Sequence, residues 1–358
     1  MTFRLTVDGA AWDRSLRQVA ADTPGLVPVI KGNGYGFGAA LLAQRCTELG
    51  VPAVAVGVAS ETASVRRHFS GELLVMAPLQ LAELGRQEPA IRVLRTVAHP
   101  DVLCAVAELA HPPRIVLELD SPVHRHGIPP GELAGLLPAL RRVPLAGIAL
   151  HLPVEHPAAD RWRAAQSALR SVAGLRAAGV EPGTLWISHL STDEVTRLGR
   201  ADPLTRIRTR VGTGLWLSDR RSFRAGGAVL DAHPVHRRQP IGYRQRRSPA
   251  GTLIVVSGGT AHGVGLQTIA APARWSELIR AALAGAAHGA GLTSSPFHWA
   301  GRRLRYADVP HMQVSLLLVP TGTAVPPVGE RLPCDVRMTV TTFDEVEVEE
   351  RQGLAPPA

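Results

Sequence analysis

Lysine is almost absent from this sequence. The chain has 39 lysine and arginine residues together, and Lys31 is the only lysine, so the other 38 are arginine. Arginine can replace lysine wherever a surface needs only positive charge, but a guanidinium stays protonated and cannot act as an amine nucleophile. The composition therefore favours a chemical role for Lys31 over the bland alternative, the chance survival of a surface lysine.

Cysteine and long apolar runs are also scarce. The three cysteines, Cys46, Cys104 and Cys334, are far apart and odd in number, which predicts neither a disulfide framework nor a metal site and is typical of a reducing cytoplasm. No run of about 18 apolar residues exists, so no membrane span is predicted. The N-terminus carries charge from the start and has no signal core. We therefore expect a cytoplasmic protein without a metal or a membrane partner.

Positive charge is abundant but dispersed. The net charge is +9 and the sequence pI is about 10.7. The arginines occur as singles or pairs along the whole chain, and aromatic residues make up only 4%. A nucleic-acid interface usually shows a basic patch or a motif, so we attribute the charge to a composition rich in Ala, Arg, Gly and Pro and expect no nucleic-acid partner. Hydrophobic residues at 45% indicate a globular protein.

Strand-like and helix-like segments alternate through the first 220 residues. Eight short apolar, β-branched runs are predicted as strands: Leu26–Lys31, Ala53–Gly57, Leu73–Met76, Val93–Val97, Ile115–Asp120, Leu145–Leu152, Leu185–Leu190 and Ile207–Val211. The intervening segments have helical periodicity, as in Ala39–Leu49, Ser60–Phe69, Gly131–Arg142, Asp160–Ala178 and Thr192–Gly199. Eight βα repeats are the number that closes a (β/α)8 TIM barrel. An open doubly wound sheet is the alternative, although Lys31 and Asn33 interrupt any GxGxxG turn.

The pattern changes after Trp216. Arginine pairs and turns separate four runs predicted as strands: Thr252–Val256, Met312–Val319, Met338–Thr342 and Val346–Val348. Residues Trp275 to Ala287 have the spacing of one amphipathic helix. We therefore predict a barrel over residues 9–219 and a β-rich C-terminal domain over residues 220–358, which the strand at residues 3–7 could join.

Polar residues fall at the C-terminal ends of several barrel strands. Lys31 ends the first strand, Arg125 follows the fifth, and His151, His189 and Arg210 end the sixth, seventh and eighth. Each alone is more often structural. Because the functional groups of a parallel barrel lie at this face, five of them together predict an active site there.

The segment VPVIKGNGYGFG around Lys31 resembles the cofactor-lysine segment of the alanine racemase family. That resemblance implies a (β/α)8 barrel followed by a β-rich domain, pyridoxal 5′-phosphate (PLP) as cofactor, and Lys31 as the amine that joins it. It also implies that Tyr35 contacts the cofactor phosphate. Family members are homodimers in which each site is completed by the neighbouring subunit, so the resemblance implies a homodimer.

The segment RVGTG at residues 210–214 is similar to the family's phosphate-binding turn. The resemblance implies that Gly212 and Thr213 hold the phosphate through backbone amides and that Arg210 contacts the pyridine nitrogen. A guanidinium has no acceptor, so that nitrogen stays unprotonated and the cofactor is a weaker electron sink, which suits racemisation. Ser191 is a looser match for a phosphate ligand, because the family serine falls on Asp193.

Three further positions, Arg125, His151 and His189, match family residues, and a fourth, Glu118, differs from them. Arg125 corresponds to the arginine near the substrate carboxylate, and a guanidinium suits bidentate carboxylate binding. Glu118 stands where many relatives have a lysine carbamate that touches this arginine, so a carboxylate is supplied directly. His151 and His189 match histidines near the cofactor ring and its arginine.

The second half departs from the family at its catalytic tyrosine. The segment Gly259–Gly263 corresponds to Gly-Tyr-Ala-Asp-Gly, but Thr260 replaces the tyrosine, and a threonine hydroxyl is a very poor base. His262 could be the second base, since imidazole titrates near neutral pH; a turn histidine is an equal alternative. Met312 is retained, and its backbone N–H could bind the substrate carboxylate.

Three functions remain open from the sequence. The first is a PLP-dependent amino-acid racemase acting on alanine or a relative, with Lys31 and His262 as the two bases. The second is a one-base PLP enzyme of the same fold, such as an aldolase or an epimerase. The third is a PLP-binding protein with little catalytic activity.

Overall fold

A computed structural model describes residues 2–84, 92–265 and 294–349 of the chain. Its strands are β1 Phe3–Asp8, β2 Leu26–Ile30, β3 Ala53–Val56, β4 Glu72–Pro78, β5 Val93–Val97, β6 Ile115–Leu119, β7 Leu145–Leu150, β8 Thr184–Ile187, β9 Arg206–Val211, β10 Phe223–Val235, β11 Pro240–Ile241, β12 Arg246–Arg247, β13 Gly251–Ser257, β14 Ser294–Trp299, β15 Arg302–Tyr306, β16 Val314–Pro320, β17 Arg331–Pro333 and β18 Glu345–Glu349. Its helices are α1 Gly9–Asp22, α2 Ala39–Glu48, α3 Thr62–Arg66, α4 Pro100–Ala107, α5 Leu137–Leu140, α6 Ala158–Ala177, α7 Thr192–Ala201 and α8 Thr213–Trp216.

Strands β2 to β9 form a closed parallel barrel. Each strand pairs with the next, and β2 pairs with β9 through Leu26 opposite Thr209 and Val27 opposite Arg210. This last pairing excludes the open sheet. The (β/α)8 prediction is confirmed, and all eight predicted strands are present with ends shifted by a few residues.

Alternation along the barrel strands separates two apolar layers. One cluster fills the barrel interior and includes Val29, Ala55, Val116, Ala149 and Trp186. A second cluster packs against the surrounding helices. It includes the side chains at the alternate strand positions, such as Leu117 and Leu119. Because side chains point to opposite faces with a period of two, the residues two positions beyond the interior cluster face the axis at the C-terminal end of the barrel.

The predicted helix at Gly131–Arg142 is largely wrong. Only Leu137–Leu140 is α-helical, preceded by a 3-10 turn at Pro130–Glu132. Pro138 has no N–H for an i→i−4 hydrogen bond, and its ring opposes continuation of a helix from the N-terminal side. The segment Ser60–Phe69 is similarly shortened, to a 3-10 turn followed by α3.

The C-terminal part of the chain is mainly β, as predicted. Eight strands form one sheet in the order β14-β15-β16-β13-β10-β1-β18, with β17 paired to β10. β1 lies between β10, which is antiparallel, and β18, which is parallel. The N-terminal strand is therefore part of this sheet. The core of this sheet unit includes Phe3, Ile254, Phe297 and Leu317.

One predicted strand in this unit is wrong. Residues Met338–Thr342 form a turn in which the Arg337 carbonyl accepts the N–H groups of both Val340 and Thr341. Of the β-branched residues here, Thr341 is buried at 1% exposure, whereas Val340 is 46% exposed. The predicted helix at Trp275–Ala287 lies outside the described residues.

The described residues group into two compact units. One contains residues 13–34 and 38–218, and the other contains the residues up to Trp12, Tyr35–Phe37 and the residues from Asp219 onward. The predicted domain limits, 9–219 and 220–358, stay predictions.

Candidate active site

A polar layer lines the barrel axis at the C-terminal ends of the strands. Its members are Lys31, Glu118, His151, Ser188 and Arg210, and Gly57 lies on the same inward face. All of them except Arg210, which is on the inward face of β9, lie two residues beyond a member of the apolar interior. The period-two rule that places Val116 and Trp186 in the core thus brings these polar groups together.

Lys31 directly follows β2. Its side chain is exposed, and its carbonyl accepts the Gly34 N–H at 3.1 Å. A Cβ added to Gly57, at the end of the adjacent strand β3, would lie 3.0 Å from the Lys31 Cβ. The barrel therefore accommodates Lys31 because the neighbouring position has no side chain.

Arg210 is the most buried cation of the site. Its side chain is 3% exposed, one Nη donates to the Leu150 carbonyl at 3.0 Å, and the other lies 3.9 Å from Oε2 of Glu118, itself 2% exposed. Burial lowers the pKa of the guanidinium, and the Glu118 carboxylate opposes that change. The Arg210 Nε–H is buried and has no hydrogen-bond acceptor among the described residues.

His151, which is half-buried, and His189, which is exposed, form a second group. Their rings lie 5.2 Å apart at 77°, and Nδ1 of His151 is 2.9 Å from the Ser188 hydroxyl. Burial, followed by the positive charges of Arg210 and Arg125, lowers the pKa of His151 to about 3. Burial and the charges of Arg210 and Lys31 also lower the pKa of His189. Both imidazoles are therefore neutral at physiological pH.

The loop after β6 carries Arg125. The loop folds back on the strand through hydrogen bonds from Asp120 N–H to the Ile128 carbonyl and from Ile128 N–H to the Glu118 carbonyl. Arg125 is exposed, and its charge contributes to the lowered pKa of His126, for which burial is the largest cause. The His126 Nε2 is buried without a partner in the described part of the chain.

Glu118 contacts a different arginine from the one that the family pattern suggests. Its ion pair is with Arg210 on β9. Glu118 therefore supplies a buried carboxylate to the guanidinium that is expected at the pyridine nitrogen.

The turn after β9 has the open backbone that an anion site requires. Gly212 precedes the short helix α8, and Thr213 and Gly214 are exposed. The N–H groups of a first helical turn have no intrahelical acceptor, so this turn can offer Gly212 and Thr213 amides to a phosphate.

The loop after β8 is less suited to phosphate. Ser191 caps α7, and Oε2 of Glu194 accepts both its N–H, at 2.8 Å, and its hydroxyl, at 3.0 Å. The Thr192 hydroxyl donates to the Asp22 carbonyl at 2.6 Å. Because a carboxylate already occupies the Ser191 donors, the geometry does not support Ser191 as a phosphate ligand.

Three expected site residues, Tyr35, His262 and Met312, belong to the sheet-containing unit. Tyr35 is buried, with a left-handed φ of 53° between Gly34 and Gly36. Met312 is 70% exposed, and its carbonyl accepts the Ala261 N–H at 3.0 Å.

The third, His262, is 5% exposed and has both ring nitrogens engaged. The Gly259 N–H donates to Nδ1 at 3.2 Å, and Nε2 lies 3.0 Å from Oδ1 of Asp344. The other Asp344 oxygen accepts the Phe3 N–H at 2.8 Å. Because neither nitrogen offers a free lone pair in this arrangement, the geometry favours the turn-histidine interpretation over the second-base interpretation.

Sequence reasoning missed Ser188 and His126. Ser188 is 2% exposed and orients His151. Its position two residues after the interior Trp186 was the available signal, and it was obscured because the sequence suggested a strand extending to Leu190.

The protein is a (β/α)8 barrel whose C-terminal face carries an amine, Lys31, beside a buried arginine and neutral imidazoles. This combination defines its class as a barrel with an amine-bearing site. The chain belongs to the alanine racemase family, because the family profile described as "Alanine racemase, N-terminal domain" matches residues 7–218.

Individual relatives cover less of the chain. The alanine racemase of Halorhodospira halophila is 36% identical over 135 residues, which are 36% of this chain and 37% of that protein. That of Mycobacterium tuberculosis is 28% identical over 200 residues, 51% of this chain and 50% of that protein. The matches to these curated relatives span about a third to a half of their length.

Solved structures match over most of the chain. The alanine racemase from Bacillus anthracis with bound L-Ala-P has a TM-score of 0.70 at 18% identity, covering 93% of this chain and 84% of that one. The alanine racemase from Bartonella henselae with covalently bound pyridoxal phosphate has a TM-score of 0.62 at 16% identity, covering 94% and 91%. At these identities the likeness shows the fold.

The residues of the polar layer fit PLP. The unused Nε–H on the buried Arg210 is the donor that a pyridine nitrogen would satisfy, and Lys31 is an exposed primary amine. Within the described ranges there is no cluster of three or more metal-binding side chains, and no described helix has the length and apolar character needed to cross a membrane.

Proposed function

We propose that this protein binds PLP covalently through Lys31 and acts on the α-carbon of an amino acid, as a racemase-like isomerase for alanine or a relative. The observation that carries the proposal is the position of the only lysine, at the end of β2 and in the polar layer that contains Arg210 with its unused Nε–H. When bound, the cofactor would supply an electron-withdrawing ring that acidifies the α C–H bond.

The chain's own residues would divide the remaining work. Arg210 would donate to the pyridine nitrogen while Glu118 and the Leu150 carbonyl fix its orientation. The turn at Gly212 and Thr213 would hold the phosphate. Arg125 would bind the substrate carboxylate. Once the substrate amine has displaced it, the Lys31 amine would be the base that takes or returns the α-proton.

The second proton-transfer group distinguishes two candidate functions. A two-base racemase needs a group on the opposite face of the α-carbon, and Thr260 occupies the family tyrosine position. His262 has both ring nitrogens engaged, which favours the alternative: a one-base reaction in which Lys31 works alone, as in an aldolase, an epimerase or a one-sided exchange catalyst.

We also propose a cytoplasmic homodimer, as the family resemblance implies. The exposed Met312 belongs to the sheet-containing unit, from which a partner would complete each site. The free Cys46, Cys104 and Cys334 are consistent with a reducing compartment.

The cofactor proposal is tested by adding PLP to purified protein, reducing with borohydride and locating the added mass. We expect a visible absorption band and a modified Lys31 peptide, and Lys31→Ala as a control that gives neither. Wild-type protein that gains no band and no Lys31 adduct would refute the proposal.

The reaction is tested by proton NMR of D- and L-alanine in heavy water with PLP-loaded protein. Deuterium entering the α-position, together with the other enantiomer found by chiral chromatography of the same sample, supports a two-base racemase. Exchange with retained configuration supports the one-base alternative.

A further inference from the structure

Glu61 connects the peptide bond after Lys31 to the neighbouring strand. Its Oε1 accepts the Gly32 N–H at 2.7 Å, and its Oε2 accepts the N–H groups of Gly57 at 2.7 Å and Val58 at 3.1 Å. Hydrogen bonds to a carboxylate are shorter and stronger than neutral ones. One side chain thus joins the ends of β2 and β3 where the candidate nucleophile lies.

The backbone at Lys31 requires such a partner. The ladder between β2 and β3 ends with Ile30 opposite Val56, and the chain then turns away through Gly32 and Gly34, both with left-handed φ values near 60°. The Gly32 N–H therefore lies beyond the last rung, and Glu61 accepts it. Lys31 is held between a ladder residue on one side and the Glu61 contact on the other.

Local capping alone does not explain this arrangement. Glu61 ends a 3-10 turn in which an acid at this position accepts the Val58 N–H. The contact with Gly32 spans 29 residues and is unnecessary for a cap. Gly57 also reflects the tight approach, because an added Cβ would lie 2.9 Å from Glu61 Oε2 and 3.0 Å from the Lys31 Cβ.

We infer that Glu61 is a positioning residue for Lys31: it fixes the peptide from which the lysine side chain extends, and so the direction from which the amine approaches its ligand. The inference rests on the proposed function for what the amine binds, but the contact itself does not depend on that function.

The chain offers a matched control. Glu83 caps the corresponding turn after β4, and its Oε2 accepts the Gln80 N–H at 2.8 Å. Its other oxygen faces Arg95 instead of the Lys31 segment. Glu61→Gln keeps the side-chain shape but has only one acceptor oxygen. Its amide NH2 would face a backbone N–H, and two donors cannot form a hydrogen bond. Glu61→Asp keeps the charge but is one methylene too short to span both strands.

The first measurement is amide hydrogen exchange of full-length protein without PLP. Loss of a charge-assisted hydrogen bond is expected to speed exchange at Gly32 by about tenfold in Glu61→Gln and Glu61→Asp, whereas Glu83→Gln leaves Gly32 at the wild-type rate. Unchanged Gly32 exchange in both Glu61 variants would overturn the inference.

The second measurement uses the single lysine as its own reporter. PLP titration followed by visible absorbance should give a dissociation constant raised by about tenfold in Glu61→Gln and a displaced absorption maximum, with Glu83→Gln matching wild type in both. A merely structural role predicts a lowered unfolding midpoint with an unchanged absorption maximum, and that result would overturn the inference. If wild type itself binds no PLP, the proposed function fails, and the Gly32 exchange rates still decide the role of Glu61 in holding this peptide.

Discussion

Acidification is expected to destabilise the folded protein through His151. Burial and the nearby positive charges lower its folded-state pKa from 6.5 to about 3. The unfolded chain takes up a proton as the pH falls below about 6.5, while the folded protein does so only near pH 3. The unfolded state therefore binds more protons between these values, so stability is fully present above pH 6.5 and is lost as the pH falls through the window.

The magnitude follows from proton linkage. Between pH 7 and pH 5 a histidine that is protonated only when unfolded lowers the free energy of unfolding by at most about 2 kcal/mol. His151 is half-buried, and solvent screens part of the repulsion from Arg210, Arg125 and Lys31. We therefore expect a contribution of about 1 kcal/mol from this residue.

The assay is urea denaturation of cofactor-free protein at pH 7 and pH 5. Wild type should lose about 1 kcal/mol more stability than His151→Gln, because the glutamine does not titrate and all other groups cancel in the difference. His111→Gln, at an exposed position, should lose as much as wild type. Equal losses in wild type and His151→Gln would refute the conclusion that His151 is held neutral.

Three other substitutions test the described geometry. Gly127→Ala should lower the free energy of unfolding by about 2 kcal/mol or more, because φ is +136° and an added Cβ would lie 2.4 Å from the Asp120 nitrogen. In the same denaturation assay Gly131→Ala, which has open space around it, should change the free energy of unfolding little. Arg210→Met should cost about 3 kcal/mol because Glu118 is left buried and unpaired, and adding Glu118→Gln should restore part of that loss in a double-mutant cycle. His262→Gln should lower the thermal midpoint through the loss of two hydrogen bonds worth about 1 kcal/mol each but leave the PLP absorption band and the α-proton exchange rate unchanged; a lost exchange rate would restore His262 as a base.

Sequence periodicity was sufficient for the barrel because each strand carries its own signal. Apolar residues with turn signals at both ends mark β2 to β9, and the period-two rule then places Lys31, His151 and Arg210 on the inner face. The same rule places Ser188 there, two residues after the interior Trp186. These inferences need only local information.

Side-chain partners that come from distant loops were not predictable in the same way. The contact that Glu118 makes with Arg210 joins strands 92 residues apart in the chain. The partner of Ser191 is of a different kind, because Glu194 lies only three residues further on and forms a capping box with it, a pattern that the sequence analysis did not use. The segment Met338–Thr342 has strand-like composition, but two amides converge on one carbonyl and close it as a turn. The Glu118–Arg210 contact is therefore one that a local pattern does not encode, whereas at Met338–Thr342 a strand-like composition did not exclude a turn.

The charged residues at the C-terminal end of the barrel indicate what kind of ligand the site accepts. Lys31, Arg125 and Arg210 all oppose protonation of His151, and Glu118 is the carboxylate that faces Arg210. Burial, followed by this positive excess, lowers the pKa of both imidazoles and keeps them neutral. A site with more fixed cations than anions, part of it shielded from water, lowers its free energy by admitting anions. A phosphate-bearing cofactor and an amino-acid carboxylate would each supply one such anion. Because His151 and His189 are neutral, the excess positive charge lies on the arginines and on Lys31, whose positions determine where an anion binds.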